Sequence, residues 1–328
     1  MLNYLGSNKN SPVINERGNY MSIEITPDLA NNKVVLLDYF RNRGEESMEE
    51  ITRQYGVSET QSRAGSINKA VTATRNTLIS NIVQQTRQEK WPTEATLRSI
   101  LLTTYASYVS MIELRNAVWG YEYMAFSRRI GELWEPFCKL CFEYPIKELS
   151  LFVPPLFSEV KKTMTDEIEG YIDALNIALE QKAELKKYYG KVWTLVTSGE
   201  IKLELDLHFI QNKQRYNVDF KSGFGSNEKG NTNRLLLVAT IYANLEHNYR
   251  CLLLVRSPED QNNHYFQTLK NSGIWAAYCG DETYIQIKEF TGFDLKSWIA
   301  ENIDWKSDLS KATIGHLKKN DLLKYLLW

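Results

Sequence analysis

The chain has 328 residues, 43% of them hydrophobic and 12% aromatic, enough for a sizeable core and too apolar for extended disorder. Thirty-nine Lys and Arg against 40 Asp and Glu leave a net charge of −1, which excludes a global basic field, so a polyanion must be met by a local patch. No apolar run approaches the roughly 20 residues that span a bilayer, and the opening MLNYLGSNKN lacks an apolar stretch behind a basic start, so a soluble, cytoplasmic protein with no membrane partner is expected.

Residues 1–20, rich in Asn, Ser and Gly, are expected to be loosely ordered. From Pro27 to Trp119 the pattern is helical. Val34, Leu36, Leu37 and Phe40 begin a helix expected to stop near Gly44, and Ser47 with Glu50 three residues on reads as a capping box. Gly56 is placed to end that second helix and Ser58 to cap the next. Helix, Tyr-Gly-Val-Ser turn and a helix bearing Gln61, Arg63, Asn68, Lys69 and Arg75 form a helix-turn-helix pattern. Those side chains are of the types that contact bases and phosphates. An ordinary helical hairpin with a polar outer face fits the same residues, and Gly65 inside the second helix weakens the first reading. Pro92 interrupts the pattern, and residues 93–119 are one more long helix. Residues 1–120 therefore read as an all-α region serving DNA contacts, dimer contacts or both.

A second region, 121–328, begins with FSRRIGELWEPFCKLCF at 126–142, where Ile130, Leu133, Trp134, Phe137, Leu140 and Cys141 have helical spacing. The chain has four cysteines, and Cys138 and Cys141 form a C-x-x-C pair with no second pair to complete a zinc site. They read as core thiols, in keeping with a reducing compartment. Pro145, Pro154 and Pro155 mark a connection, and residues 156–189 predict one or two inserted helices whose charges form a solvated face. Val192 to Val196 is expected to start the sheet and Gly199 to turn it.

Residues 201–210, IKLELDLHFI, and 215–221, RYNVDFK, alternate apolar and polar side chains across a short polar break, the pattern of an antiparallel hairpin. Alternation puts Glu204, Asp206 and His208 on one face of the first strand and Asn217, Asp219 and Lys221 on one face of the second. Two carboxylates and an ammonium then converge, an arrangement that is costly unless a cation neutralises it, and hard oxygen ligands suit Mg²⁺. Residues 222–233 read as a loop of small and amide-bearing residues, with Ser222, Asn227, Lys229, Asn231, Asn233 and Arg234 able to donate to phosphates or bases. An apolar helix follows at 234–245 and a strand at 251–256, then a loop and short helix. IWAAYCG and TYIQIKEF predict two more strands, and 294–328 is helical with a start at Ser307 and Ser310.

At the hairpin the chain resembles the PD-(D/E)XK nuclease superfamily, and within it the type II restriction endonucleases. Asp206 stands at the first acidic position, with Leu205 in place of the proline, and Asp219-Phe220-Lys221 matches (D/E)-x-K. The strand–strand–helix–strand order is that of the family core. The resemblance implies an α/β (α+β) fold with a mixed central sheet flanked by helices, and Asp206, Asp219 and the Phe220 carbonyl as ligands of Mg²⁺. It further implies Lys221 beside the attacking water, and Glu135 facing the metal from the preceding helix, with Glu132 or Glu204 as substitutes. His208 is given a packing or phosphate-contact role. The expected function is sequence-specific cleavage of double-stranded DNA by a homodimer. A repair or recombination nuclease of the same fold, and a non-catalytic helix-turn-helix DNA-binding protein, are the alternatives.

Overall fold

The computed structural model describes residues 23–196, 201–225, 228–245 and 248–328; the N-terminal residues expected to be loosely ordered, the Gly199 turn and Asn227 lie outside the described residues. Three long helices open it: α1 (Lys33–Tyr55), α2 (Thr60–Glu89) and α3 (Thr93–Val118). α3 is buried along most of its length because it alternates large apolar residues with small hydroxyl ones. Ser99 and Ser107 donate to the carbonyls of Ala95 and Thr104, so these hydroxyls are buried with their donors satisfied.

Two expectations for α1 fail. The helix does not stop at Gly44, because that glycine lies against α3, where a Cβ would collide with Leu114 Cδ1. It permits close helix approach instead of termination. Ser47 is consequently mid-helix; its hydroxyl donates to the Arg43 carbonyl and caps nothing. Gly56, at φ 75°, does end α1. Ser58 does not cap α2, which is preceded by Glu59 without a side-chain cap.

The N-terminal helices are not separable from the rest. Leu97, Ile100, Tyr105, Tyr108 and Ile112 of α3 share one buried cluster with Phe126, Trp134 and Phe137 of α4 (Tyr123–Glu143). The same cluster takes in Trp298 of α10 (Leu295–Asn302) and Trp305 of α11 (Trp305–Asp308). A helix that is apolar on all sides must be covered on all sides, and residues from both 1–120 and 121–328 provide that cover.

The fold is mixed α/β, built on a five-stranded open sheet in the order β1-β2-β3-β4-β5. Its strands are β1 (Ser150–Leu151), β2 (Leu207–Gln211), β3 (Gln214–Lys221), β4 (Tyr249–Val255) and β5 (Trp275–Cys279). The β1–β2 and β2–β3 pairs are antiparallel, and β3–β4 and β4–β5 are parallel. Parallel neighbours need crossovers, which α7 (Lys229–Ala243) and α8 (His264–Lys270) supply. Val218, Phe220, Leu252 and Leu254 pack on the side of α4 and α9 (Asp281–Thr291); Cys251, Leu253 and Val255 pack on the side of α7 and α8.

The insertion before the hairpin is two helices, α5 (Phe157–Ala174) and α6 (Leu179–Val196), so residues 192–196 are helical and do not start the sheet. TYIQIKEF is also helical, within α9. Its buried Tyr284 and Ile287 lie three apart while Ile285 is exposed, a helical period that alternation disguised. At the end of the chain Ser310 accepts from the Thr313 N–H and caps α12 (Lys311–Lys319). All four cysteines are free and buried, as expected of core thiols. Among the described residues no helix is long and apolar enough to cross a membrane.

Candidate active site

The hairpin forms, but its first strand is shorter than alternation suggested. The ladder begins at Leu207, opposite Val218, and Asp206 lies in a bend just before it. Leu203 and Leu205 are buried on the α7 side, whereas Leu207 and Phe209 are buried on the α4 side. An unbroken strand would keep all four on one face, so the bend at Asp206 reverses the phase. Glu204 is thereby turned to solvent and pairs with Lys202 at 3.3 Å, which corrects its placement beside Asp206. His208 stays on the face of Asn217. Its Nε2 accepts the Leu205 N–H at 2.9 Å and its Nδ1 lies 2.8 Å from Asn217 Oδ1. That fixes a neutral ring with the proton on Nδ1. Burial also holds its pKa below the ordinary histidine value. This is a packing role.

Beyond the end of β2 the Phe220 N–H has no strand partner, and Asp206 Oδ2 accepts it at 2.7 Å. A strand residue directs its N–H and C=O to the same edge, so the Phe220 carbonyl faces the Asp206 side as well. Asp219 lies on the opposite pleat, with 1% of its side chain exposed. Lys221 Nζ is 2.7 Å from Asp219 Oδ1 and Arg234 Nη2 is 3.5 Å from Oδ2. Both oxygens of the buried carboxylate are thus held by cations, Oδ1 by the Lys221 ammonium and Oδ2 by the Arg234 guanidinium. Burial pushes Asp219 up to about 6, helped by the Asp206 charge and opposed by Lys221 and Arg234. For Lys221 burial works in the lowering direction, but the carboxylates of Asp219, Asp206 and Glu135 outweigh it and raise the pKa.

Glu135 reaches this cluster because α4 crosses the end of β3 at a glycine. A Cβ on Gly131 would lie 2.9 Å from Ser222 Oγ, so only glycine allows the crossing, and Glu135 is one turn further along the same side. Glu135 pairs with Lys139 at 2.7 Å. Glu132 faces solvent with Arg128 and Arg129, each at 3.2 Å. Of the three candidates, Glu135 is the one whose charge acts on Lys221.

The loop after Lys221 is shorter than expected, because α7 already begins at Lys229. Lys229 and Asn233 are exposed, and Asn231 donates to Glu228 Oε2 at 3.0 Å. Ser222 is structural: its carbonyl accepts from both the N–H and the hydroxyl of Ser257. The earlier start of α7 carries Arg234 onto Asp219, a role that a loop assignment concealed. In α2, Gln61 and Lys69 are exposed and Asn68 is half-buried. Arg63 donates to Thr52 Oγ1 and the Val57 carbonyl, and Arg75 lies over the Tyr108 ring at 5.6 Å, so both tie helices together. None of the groups that shift Asp219 or Lys221 comes from α2.

Among the described residues no group of three or more His, Cys, Asp or Glu is placed to hold a metal ion. Two carboxylates and a carbonyl nevertheless fit Mg²⁺, which is commonly held by one or two carboxylates with water and substrate phosphate as further ligands. Comparisons of the chain with protein-family models, with curated proteins and with solved structures gave no match.

Proposed function

We propose that the protein is a Mg²⁺-dependent endonuclease of the PD-(D/E)XK type, cleaving phosphodiester bonds of double-stranded DNA at specific sequences as a homodimer. The observation that carries the reading is the meeting of Asp206, Asp219 and Lys221 at the end of β3, with the Glu135 charge acting on Lys221 and the buried Asp219 carboxyl pushed up to about 6. A carboxyl perturbed by burial beside a second carboxylate and a lysine is of the kind that clusters at functional sites.

Asp206, Asp219 and the Phe220 carbonyl would hold the ion, which when bound neutralises phosphate charge and lowers the pKa of water. The Phe220 N–H orients Asp206 by occupying its Oδ2 and leaving Oδ1 for the ion. Lys221, with its raised pKa, is an ammonium at neutral pH. It therefore stabilises charge building on the phosphate and does not take the proton from water. Arg234, already on Asp219, donates to the same phosphate. Exposed Lys229 and Asn233 at the start of α7 meet the flanking backbone, and exposed Gln61 and Lys69 offer a second contact strip.

The test is incubation of the purified protein with plasmid and phage DNA, with and without Mg²⁺. Discrete fragments are expected only with the metal. Nicking or a smear would point to a repair or recombination task, and intact DNA with a gel shift to a non-catalytic binder.

A further inference from the structure

A cavity of about 660 Å³ opens at the carboxyl ends of β4 and β5, between the start of α9, α10 and Trp328. That volume is in the range of small-molecule sites, and in open α/β sheets ligands collect at the carboxyl ends of the strands. Arg256 follows β4 directly, and its N–H extends the ladder by donating to the Lys221 carbonyl at 2.9 Å. Alternation puts its side chain with Leu254 on the α4 and α9 side of the sheet, away from the pleat of Asp219 and Lys221. There the half-buried guanidinium donates from Nη1 to the Leu327 carbonyl at 3.0 Å, and among the described residues no carboxylate pairs with it. Burial accordingly holds its pKa below the ordinary arginine value. A charge drawn out of water and left unpaired costs the fold stability, and a bound anion would remove that cost.

Two further donors line the same space. Tyr284 is buried, and its hydroxyl accepts the Trp134 Nε1–H at 3.0 Å, so its own proton remains to be given. It stands close enough to Arg256 for each group to act on the other. The 11-residue α9 starts at the cavity wall behind Gly280, and no side chain caps its first amides. The rim, in contrast, is acidic. Asp281 is paired with Lys296 at 2.6 Å and Glu259 with Lys270 at 2.8 Å, and Glu282 is exposed. Such a rim repels a polyanion, so a DNA strand does not suit the cavity. The lining leaves one uncompensated cation, Arg256, which matches a ligand of one negative charge. A guanidinium fork beside a hydroxyl suits the two oxygens of a carboxylate. Ile299, Ala300 and Trp328 offer an apolar wall to the rest of the ligand.

We propose that this cavity is a binding site for a small monocarboxylate with an apolar body, its carboxylate held by Arg256 and the Tyr284 hydroxyl. Binding is measured without Mg²⁺ or DNA, so its outcome is independent of the nuclease reading. Naphthoate is the probe, titrated calorimetrically into the full-length chain beside naphthylmethanol and naphthyl phosphate, which keep the ring and change the head. One naphthoate per chain is expected, with the alcohol and the phosphate each weaker by about tenfold or more. Arg256→Gln should weaken naphthoate by about tenfold or more, and Tyr284→Phe by about threefold to tenfold. Changes at two exposed positions keep the test decisive should those variants fail to fold. Ala300→Trp, which fills the space, should abolish binding, and Glu282→Gln, which removes a rim charge, should tighten it by about twofold. A wild-type chain that takes up no naphthoate at millimolar concentration overturns the proposal. So does equal affinity for the three heads, binding that survives Ala300→Trp, or displacement of bound naphthoate by a short DNA duplex.

Discussion

Two ionic clusters in this fold make an instructive pair. One joins the N-terminal helices to the C-terminal ones. Arg41 grips Glu113 with two nitrogens at 2.9 Å, and Glu113 also accepts the Ser310 N–H. Asp308 accepts from Lys33 and from the Tyr105 hydroxyl. Every oxygen of Glu113 is bonded, and all of these links but the Arg41–Glu113 pair join the N-terminal helices to the C-terminal ones, which is what a cluster that holds a fold together requires. The other cluster, around Asp219, is more deeply buried, and its two cations do not offset the cost of burial, so the carboxyl is pushed up to about 6. Chemistry of similar type thus serves two ends. The first cluster stabilises, whereas the second keeps a burial cost that, on the proposed function, a cation and a phosphate would relieve.

That contrast can be broken at either end. The largest effect is expected on cleavage, where Asp206→Ala and Lys221→Ala should each reduce the single-turnover rate by about a thousandfold or more. Circular dichroism should stay that of the wild type, and a variant cutting at wild-type rate would remove its residue from the site. Next comes Glu113→Ala, which leaves Arg41 and the Ser310 N–H without their partner and should cost roughly 3 kcal/mol in urea unfolding. A loss below about 1 kcal/mol, the range of surface pairs, would mean that the tie is ornamental.

Asp219→Asn should behave oppositely. The folded-state pKa of Asp219 lies above its unfolded value of 3.8, so the folded chain binds the extra proton between the two and wild-type stability falls as pH rises through about 6. Removing that charge should therefore raise stability at pH 8 by on the order of 2 kcal/mol and give no gain near pH 4. Equal destabilisation at both pH values would mean that Asp219 is a structural partner of Lys221. His208 has the reverse sign: its pKa is lowered in the fold, so its contribution is present above the ordinary histidine value and lost as pH falls below it. His208→Phe should cost roughly 1–2 kcal/mol at pH 8 by orphaning Asn217 and the Leu205 N–H. The smallest effect should come from Arg63→Ala, about 1 kcal/mol of stability for its two hydrogen bonds. Lys69→Ala should leave stability alone and lower the salt slope of DNA binding by about one unit. An unchanged slope would take α2 out of DNA contact.

Much of the sheet was legible in the sequence. Strict alternation marks β3, and the apolar runs mark α7, β4 and β5. The pairing of Asp219 with Lys221 follows from period two alone. The bend at Asp206 was not legible, because the apolar–polar alternation of 201–207 runs on unbroken across the point where the faces exchange. Arg234 was hidden for a related reason: small and amide residues look like loop, yet 229–233 are the first turns of α7. Gly44 looks like a helix stop and Gly131 like an ordinary helical residue, though each marks a close approach between elements far apart in sequence. No local pattern encodes such contacts. The fusion of the helical region with the sheet was obscured in the same way, since the apolar residues on every side of α3 only say that it is covered.

The most direct test of the account is single-turnover cleavage of a duplex substrate in Mg²⁺ by the wild-type chain and by Asp219→Asn. The account predicts metal-dependent cutting by the wild-type chain and no detectable cutting by the variant. Cleavage by Asp219→Asn at a rate near wild type, or a wild-type chain that binds duplex DNA yet never cuts it in Mg²⁺ or Mn²⁺, would contradict it.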